Sequence, residues 1–165
     1  MAVRRPQNPH FHLFFMRLIL PYGIRLGEKG KIETVPIAHV RIRSSRKKEL
    51  PGIFVIDSGA STTLLPSADA ELLGIILESG VKVLVRGVTG QLLGYRHRLT
   101  LDIEGVVLRR VPVIFAQSPE VPRVLGREGV FPRFGIVFDE ARRRTAFLNQ
   151  RQERNVINSL FFSVS

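Results

Sequence analysis

Residues 54–66 read FVIDSGASTTLLP: three apolar residues run into Asp57, and small and hydroxyl residues follow it. A carboxylate just past a buried strand costs free energy unless hydrogen bonds or a partner charge hold it. The next residues can do so. Ser58 carries a hydroxyl, and Gly59 lets the backbone turn sharply and approach the carboxylate. Taken alone, Asp-Ser-Gly is an Asx-type turn in which the aspartate bonds its own backbone. The context argues for more than a turn: an apolar run before Asp57, then Ala60, Ser61 and TLLP, in a chain rich in short apolar segments.

Other chemistries find less support. Ser58 or Ser61 as a nucleophile needs a placed base, and the chain has no Gly-x-Ser-x-Gly elbow. His10, His12, His39 and His97 include no pair at i, i+4, and cysteine is absent, so neither a zinc site nor thiolate chemistry is expected. No glycine pattern matches a phosphate-binding loop, and no cofactor is expected. Asp139 reads as a turn residue or arginine partner, Arg127 as a source of structural ion pairs, and Arg142 to Arg144 as a solvated turn.

The elements that must position Asp57 are strands. Glycine and proline recur every ten or so residues, with runs of Val, Ile, Leu and Phe between them. Strands are expected at Phe11–Leu20, Thr34–Ser44, Ile53–Asp57, Val81–Gly87, Gln91–Ile103, Val106–Phe115, Gly135–Phe138 and Thr145–Leu148. PSADAELLG, from Pro66 to Gly74, carries helix start and stop signals, and REGVFPRF can make a turn or two before Pro132 limits it. Basic RSSRKKELPG, Arg43 to Gly52, reads as an exposed loop, and GVTG, Gly87 to Gly90, as a hairpin tip. In the tail, Val156, Leu160, Phe162 and Val164 fall on one face of a strand pattern.

VIDSGAS resembles the catalytic loop of the aspartic proteases, in particular the short retropepsin-like ones. VLVRGVTGQLLGY is similar to their flap, and RVLGREGVFPRFGIVFDEARRRTAFL to their second signature, with Val124, Leu125 and Gly126 as its two apolar residues and glycine. Asp-Ser-Gly stands where Asp-Thr-Gly is commoner, and Arg127-Glu128 where Arg-Asp or Arg-Asn is frequent. The resemblance covers roughly Thr34 to Leu148. It implies a mostly β fold, a closed barrel like half of an acid protease, with one or two short helices. It makes Asp57 catalytic, with Ser58 and Gly59 supporting its loop. Gly59, Ala60, Ser61, Gly87, Val88, Thr89, Gly90, Val124 and Leu125 are the residues expected beside a substrate.

Proteases of this family use two carboxylates that share a proton, and the chain holds one Asp-Ser-Gly. The resemblance therefore implies a two-fold homodimer with Asp57 opposite Asp57 and the Ser58 hydroxyls locking the two loops across the axis. A single domain over residues 1–165 is expected: a core at 34–148, an N-terminal strand segment at 1–33, and an interface strand at 155–165. The reading is an aspartic endopeptidase acting on peptide or protein substrates. The alternative is a non-catalytic dimer of the same fold that captures an extended peptide by strand addition.

Composition bounds the rest. With 44% hydrophobic residues in 165, the chain can bury a core. The net charge of +11 favours anionic neighbours, but the basic residues are scattered and no nucleic-acid motif accompanies them, so no specific nucleic acid is expected. Phe11–Leu20 follows Arg4 and Arg5 as in a signal peptide. It is too short to span a bilayer, carries Arg17, and has no small-x-small site after it, so no transmembrane segment is expected. The absence of cysteine suits a reducing compartment, and a cytoplasmic location is expected.

Overall fold

A computed structural model of the chain describes residues 18–27, 30–87 and 90–148, with Asn155, Asn158, Ser159 and Phe161. The strands in chain order are β1 (Leu18–Pro21), β2 (Gly23–Leu26), β3 (Ile32–Val35), β4 (Ile37–Arg43), β5 (Glu49–Ile56) and β6 (Thr63–Leu65). Helix α1 (Ser67–Leu72) follows, then β7 (Val81–Gly87), β8 (Gly90–Ile103), β9 (Val106–Ala116), β10 (Val124–Leu125), β11 (Gly135–Asp139) and β12 (Arg144–Leu148). Single 3-10 turns cover Leu77–Ser79, Phe131–Arg133 and Glu140–Arg142. No helix among the described residues is long and apolar enough to cross a membrane.

The fold is mostly β and built on a closed barrel. Strands β4, β5, β10, β6, β9 and β8 follow one another edge to edge, and β8 pairs back onto β4 through Val40↔Ile103 to Arg43↔Thr100. Closure leaves these strands without free edges along that seam. The side-chain alternation matches it. On β4, Ala38, Val40 and Ile42 are buried while His39 and Arg41 face solvent. Phe54 and Ile56 of β5, Leu101 and Ile103 of β8, Val111, Val113 and Phe115 of β9, and Leu65 and Leu125 complete the interior.

β8 is long enough to serve two purposes. Its first half pairs with β7 in a projecting hairpin, and its second half closes the barrel. A register shift at Leu99/Leu101 bends the strand between the two tasks. Strands β1, β12 and β11 form a separate three-stranded sheet, and Phe134, just ahead of β11, meets Phe147 of β12 edge to face at 5.2 Å. β2 and β3 form a two-stranded ribbon of their own.

Several expectations change in detail. The strand expected over Thr34–Ser44 is two strands, β3 and β4, divided at Pro36, which has no N–H to continue a ladder. The loop expected from Arg43 to Gly52 is only Ser44–Lys48, because β5 pairs with β4 from Glu49 onward. Pro51 is tolerated there because β5 meets its second neighbour only at Val55 and Ile56. Residues 11–17 of the expected first strand lie outside the described residues. In the tail, Asn155, Asn158, Ser159 and Phe161 are helical, so the extended conformation expected over 155–165 fails at those positions. The same segment also carries a helical spacing, Ile157, Leu160, Phe161 and Val164 at i, i+3, i+4, i+7. The remaining tail residues lie outside the described ones.

Candidate active site

β5 delivers Asp57. Phe54 and Ile56 point into the barrel, and the chain leaves the strand at Asp57, which is exposed. Its position is fixed by backbone. The Asp57 N–H donates to the Leu125 carbonyl at 3.1 Å, and the Ala60 N–H donates to the Asp57 carbonyl at 3.3 Å. The Gly59 N–H donates to Asp57 Oδ1 at 2.8 Å, so the Asx-type turn is formed. That turn occupies one oxygen. Oδ2 accepts no hydrogen bond among the described residues, and Asp57 lines a cleft.

The second signature is a wedge between the strands that flank this loop. β10 runs parallel to β5, with Val124↔Val55 and Leu125↔Ile56, and antiparallel to β6, with Val124↔Leu64. Gly126 then passes so close to Thr62 and Thr63 that a Cβ there would lie 2.6 Å from the Thr62 carbonyl oxygen. Only glycine fits. Three backbone donors clamp the loop from this side: Gly126 N–H to Thr63 Oγ1 at 3.2 Å, Arg127 N–H to the Ala60 carbonyl at 3.0 Å, and Glu128 N–H to the Ser61 carbonyl at 2.8 Å. The buried Thr62 hydroxyl donates to Glu128 Oε2 at 3.0 Å, and Arg96 of β8 stands 3.9 Å from the same oxygen.

A cleft of about 700 Å³ opens over Asp57. Gly59, Ala60, Ser61 and Val124 line it, as do Val85, Arg86 and Gly87 of the β7–β8 hairpin. Thr62, Leu64 and Ile114 also line it; sequence reasoning did not select these three, nor Val85 and Arg86, as substrate-side residues. The exposure of the first three to the cleft depends on the register of β6 and β9, which no local pattern displays. The hairpin closes at the Gly87↔Gly90 pair, with Gly90 at φ +130°, while Val88 and Thr89 lie outside the described residues. Gly90 itself does not line the cleft, and neither does Ser58, which is exposed. Leu125, expected beside a substrate, is fully buried and contributes its carbonyl to Asp57 instead. Parity explains this: Val124 and Leu125 are neighbours on a strand and must face opposite sides.

Other singled-out residues fall where their surroundings put them. Asp139 accepts from the Arg142 N–H at 3.2 Å and from Arg144 Nε at 2.9 Å, a turn residue and an arginine partner together. Arg127 makes no ion pair among the described residues, contrary to the structural role expected of its side chain; its backbone does the work. His39 stands 3.1 Å from Glu104, and His97 Nε2 2.9 Å from the Leu77 carbonyl, both away from Asp57. His10 and His12 lie outside the described residues.

A family model described as aspartyl protease matches residues 33–128, a span that holds the Asp57 loop, the β7–β8 hairpin and Gly126. Among solved structures, a retropepsin-like aspartic protease from Rickettsia conorii superposes with a TM-score of 0.55. The two are 16% identical, and the match covers 80% of this chain and 98% of that one. At that identity the likeness speaks for the fold. No curated protein sequence matches the chain.

Proposed function

Because the chain belongs to the aspartyl protease family, we propose that it is an endopeptidase whose active unit is a homodimer, with water activated between two copies of Asp57. The observation that carries this reading is the state of Asp57. Its backbone is pinned by Leu125 and Ala60, Gly59 holds one carboxylate oxygen, the other accepts no bond among the described residues, and Asp57 lines a cleft beneath a hairpin.

One carboxylate is half of the required machinery. With two side by side, like charges cannot both ionise comfortably, so the pair holds one proton and titrates as a unit. The ionised member takes a proton from water as it attacks the peptide carbonyl. The protonated member donates to the carbonyl oxygen. The proton taken from water then passes to the leaving amine as the C–N bond breaks, and a hydroxyl of the tetrahedral diol gives its proton to the other carboxylate as the product carboxyl forms, which restores the pair. Ser58, exposed at the loop and not part of the cleft lining, is suited to bond across the axis. Gly59 and Ala60 bring backbone to the cleft wall, where an extended peptide can pair with it, and Leu64, Val85, Ile114 and Val124 favour apolar side chains there.

The test is a peptide-library digest at acidic and neutral pH, run beside Asp57→Asn. Cleavage by the wild type and none by the variant supports the reading. Peptide binding without turnover by the wild type would favour a non-catalytic dimer, and undiminished cleavage by Asp57→Asn would remove Asp57 from the chemistry.

A further inference from the structure

We infer that the β2–β3 hairpin is an arm by which one copy of this chain grips a second copy, an inference that rests on the two-chain reading above. The register places Leu26 opposite Ile32 and Ile24 opposite Thr34, so Ile24, Leu26 and Ile32 share one face of the ribbon. They are 76, 77 and 68% exposed. The reverse face differs. Gly23 and Val35 there are half-buried, Gly23 lies against the Ile37 side chain, and Arg25 pairs with Glu33 at 2.9 Å. The ribbon therefore turns one face to its own chain and presents an apolar face that nothing among the described residues covers. Its two outer edges are also unpaired among the described strands. A two-stranded ribbon is marginal by itself, and clustered exposed aliphatic residues mark a surface that another molecule covers.

Position selects the occupant. β3 leads through Pro36 into β4, and the Pro36 carbonyl accepts the Ile56 N–H at 2.9 Å, one residue before Asp57. The root of the hairpin thus stands on the rim of the barrel that carries Asp57. A second copy that brings its own Asp57 to this one must approach that rim. It meets the apolar face of the hairpin there, and two-fold symmetry makes each contact twice. The four described tail residues are helical, with Phe161 77% exposed, so they supply no strand to hold the two chains together at those positions.

The experiment is sedimentation of the full chain over a concentration series, with Leu26→Glu and Ile32→Glu beside Val107→Glu, an exposed apolar residue on the barrel wall, as control. The hairpin variants are expected to weaken the dimer at least about tenfold while the control does not, and to lose activity on dilution and regain it on concentration. Thermal unfolding checks that they fold, and Leu26→Ser and Ile32→Ser replace any that do not. A second readout uses the absence of cysteine from the chain: Ile32→Cys carries an environment-sensitive fluorophore whose emission should shift as the dimer forms. A wild-type dimer that hairpin variants leave equally tight, with a flat fluorophore signal, overturns the arm and leaves the protease reading standing. An active wild type that is monomeric at every concentration overturns the two-chain reading and the arm with it.

Discussion

Gly126 rests against the backbone of Thr62, and a Cβ at Gly126 would stand 2.6 Å from the Thr62 carbonyl oxygen and 2.8 Å from the Thr63 nitrogen. The atoms it would meet are main chain, which cannot swing aside as a long side chain can. Gly126→Ala must therefore push the Asp57 loop and β10 apart, stretching the clamps at Ala60 and Ser61. Overpacking of this kind costs about 1–3 kcal/mol. The expected outcome is a lower melting temperature together with a loss of peptidase activity larger than the loss of folded protein. Equal activity per folded molecule would mean that the loop tolerates displacement.

Asp69 and Arg123 form a second brace, outside the cleft lining. Asp69 is 1% exposed, and Arg123 holds it with two hydrogen bonds of 2.7 Å, from Nε and from the terminal nitrogen. The bonding holds the Arg123 guanidinium more firmly protonated than usual, against the opposing effect of its partial burial. The Arg123 carbonyl also accepts the Val55 N–H at 3.0 Å, so one residue ties α1 to β5 just ahead of Asp57. Removing one partner leaves a buried charge alone. Arg123→Met is expected to cost about 3–5 kcal/mol. Asp69→Asn should cost less, because it removes the charge but keeps a group that can accept from the guanidinium. Chemical denaturation of both variants and of the double variant measures the coupling, and additive losses would deny the pairing.

Much of this was legible in the sequence, for identifiable reasons. The Asp57 loop, the hairpin glycines and Gly126 are short motifs whose chemistry is carried by residue type, so they read without a fold. The long strands β7, β8 and β9 read well because alternation and flanking glycines agree. What did not read was anything set by distant register. Arg123 gives no sign of its bond to Asp69, fifty-four residues earlier. Thr62, Leu64 and Ile114 reach the cleft only because β6 lies between β10 and β9. β2, β6 and β10 have 4, 3 and 2 residues, too few for a period to show. The tail shows the opposite failure, since its apolar residues fit a strand and a helix alike.

The two-chain mechanism predicts behaviour in mixtures. A dimer containing one Asp57→Asn chain has a single ionisable carboxylate and should be inactive. When equal amounts of wild type and variant exchange freely, activity per wild-type chain should fall to about half, as random pairing in a symmetric dimer requires. Activity should also fall on dilution of the wild type alone. Specific activity that is constant on dilution and untouched by added variant would place all the catalytic groups within one chain.

Asp139 sets an expectation for acid stability. Its carboxylate accepts from Arg144 Nε at 2.9 Å, from the Arg142 guanidinium at 3.5 Å and from the Arg142 N–H at 3.2 Å. The Arg144 bond is the main influence holding its pKa below the usual carboxylate value; desolvation opposes it, and the Arg142 N–H and the two guanidinium charges add to the lowering. A carboxylate whose pKa is lower folded than unfolded stabilises the protein above the unfolded value of about 3.9, because there it is ionised and paired. As pH falls through the folded value, the unfolded chain has already taken up its proton and the stabilisation disappears. Asp139→Asn keeps an oxygen to accept the Arg142 N–H, so the β11–β12 turn survives while the ion pairs go. The variant should melt below the wild type at neutral pH, by a small margin because the site is exposed, and the two melting temperatures should converge between about pH 5 and pH 2. Thermal melts across that range decide it. A gap that stays constant to the acid end would show that Asp139 acts through turn geometry alone, and that its charge contributes nothing to folding.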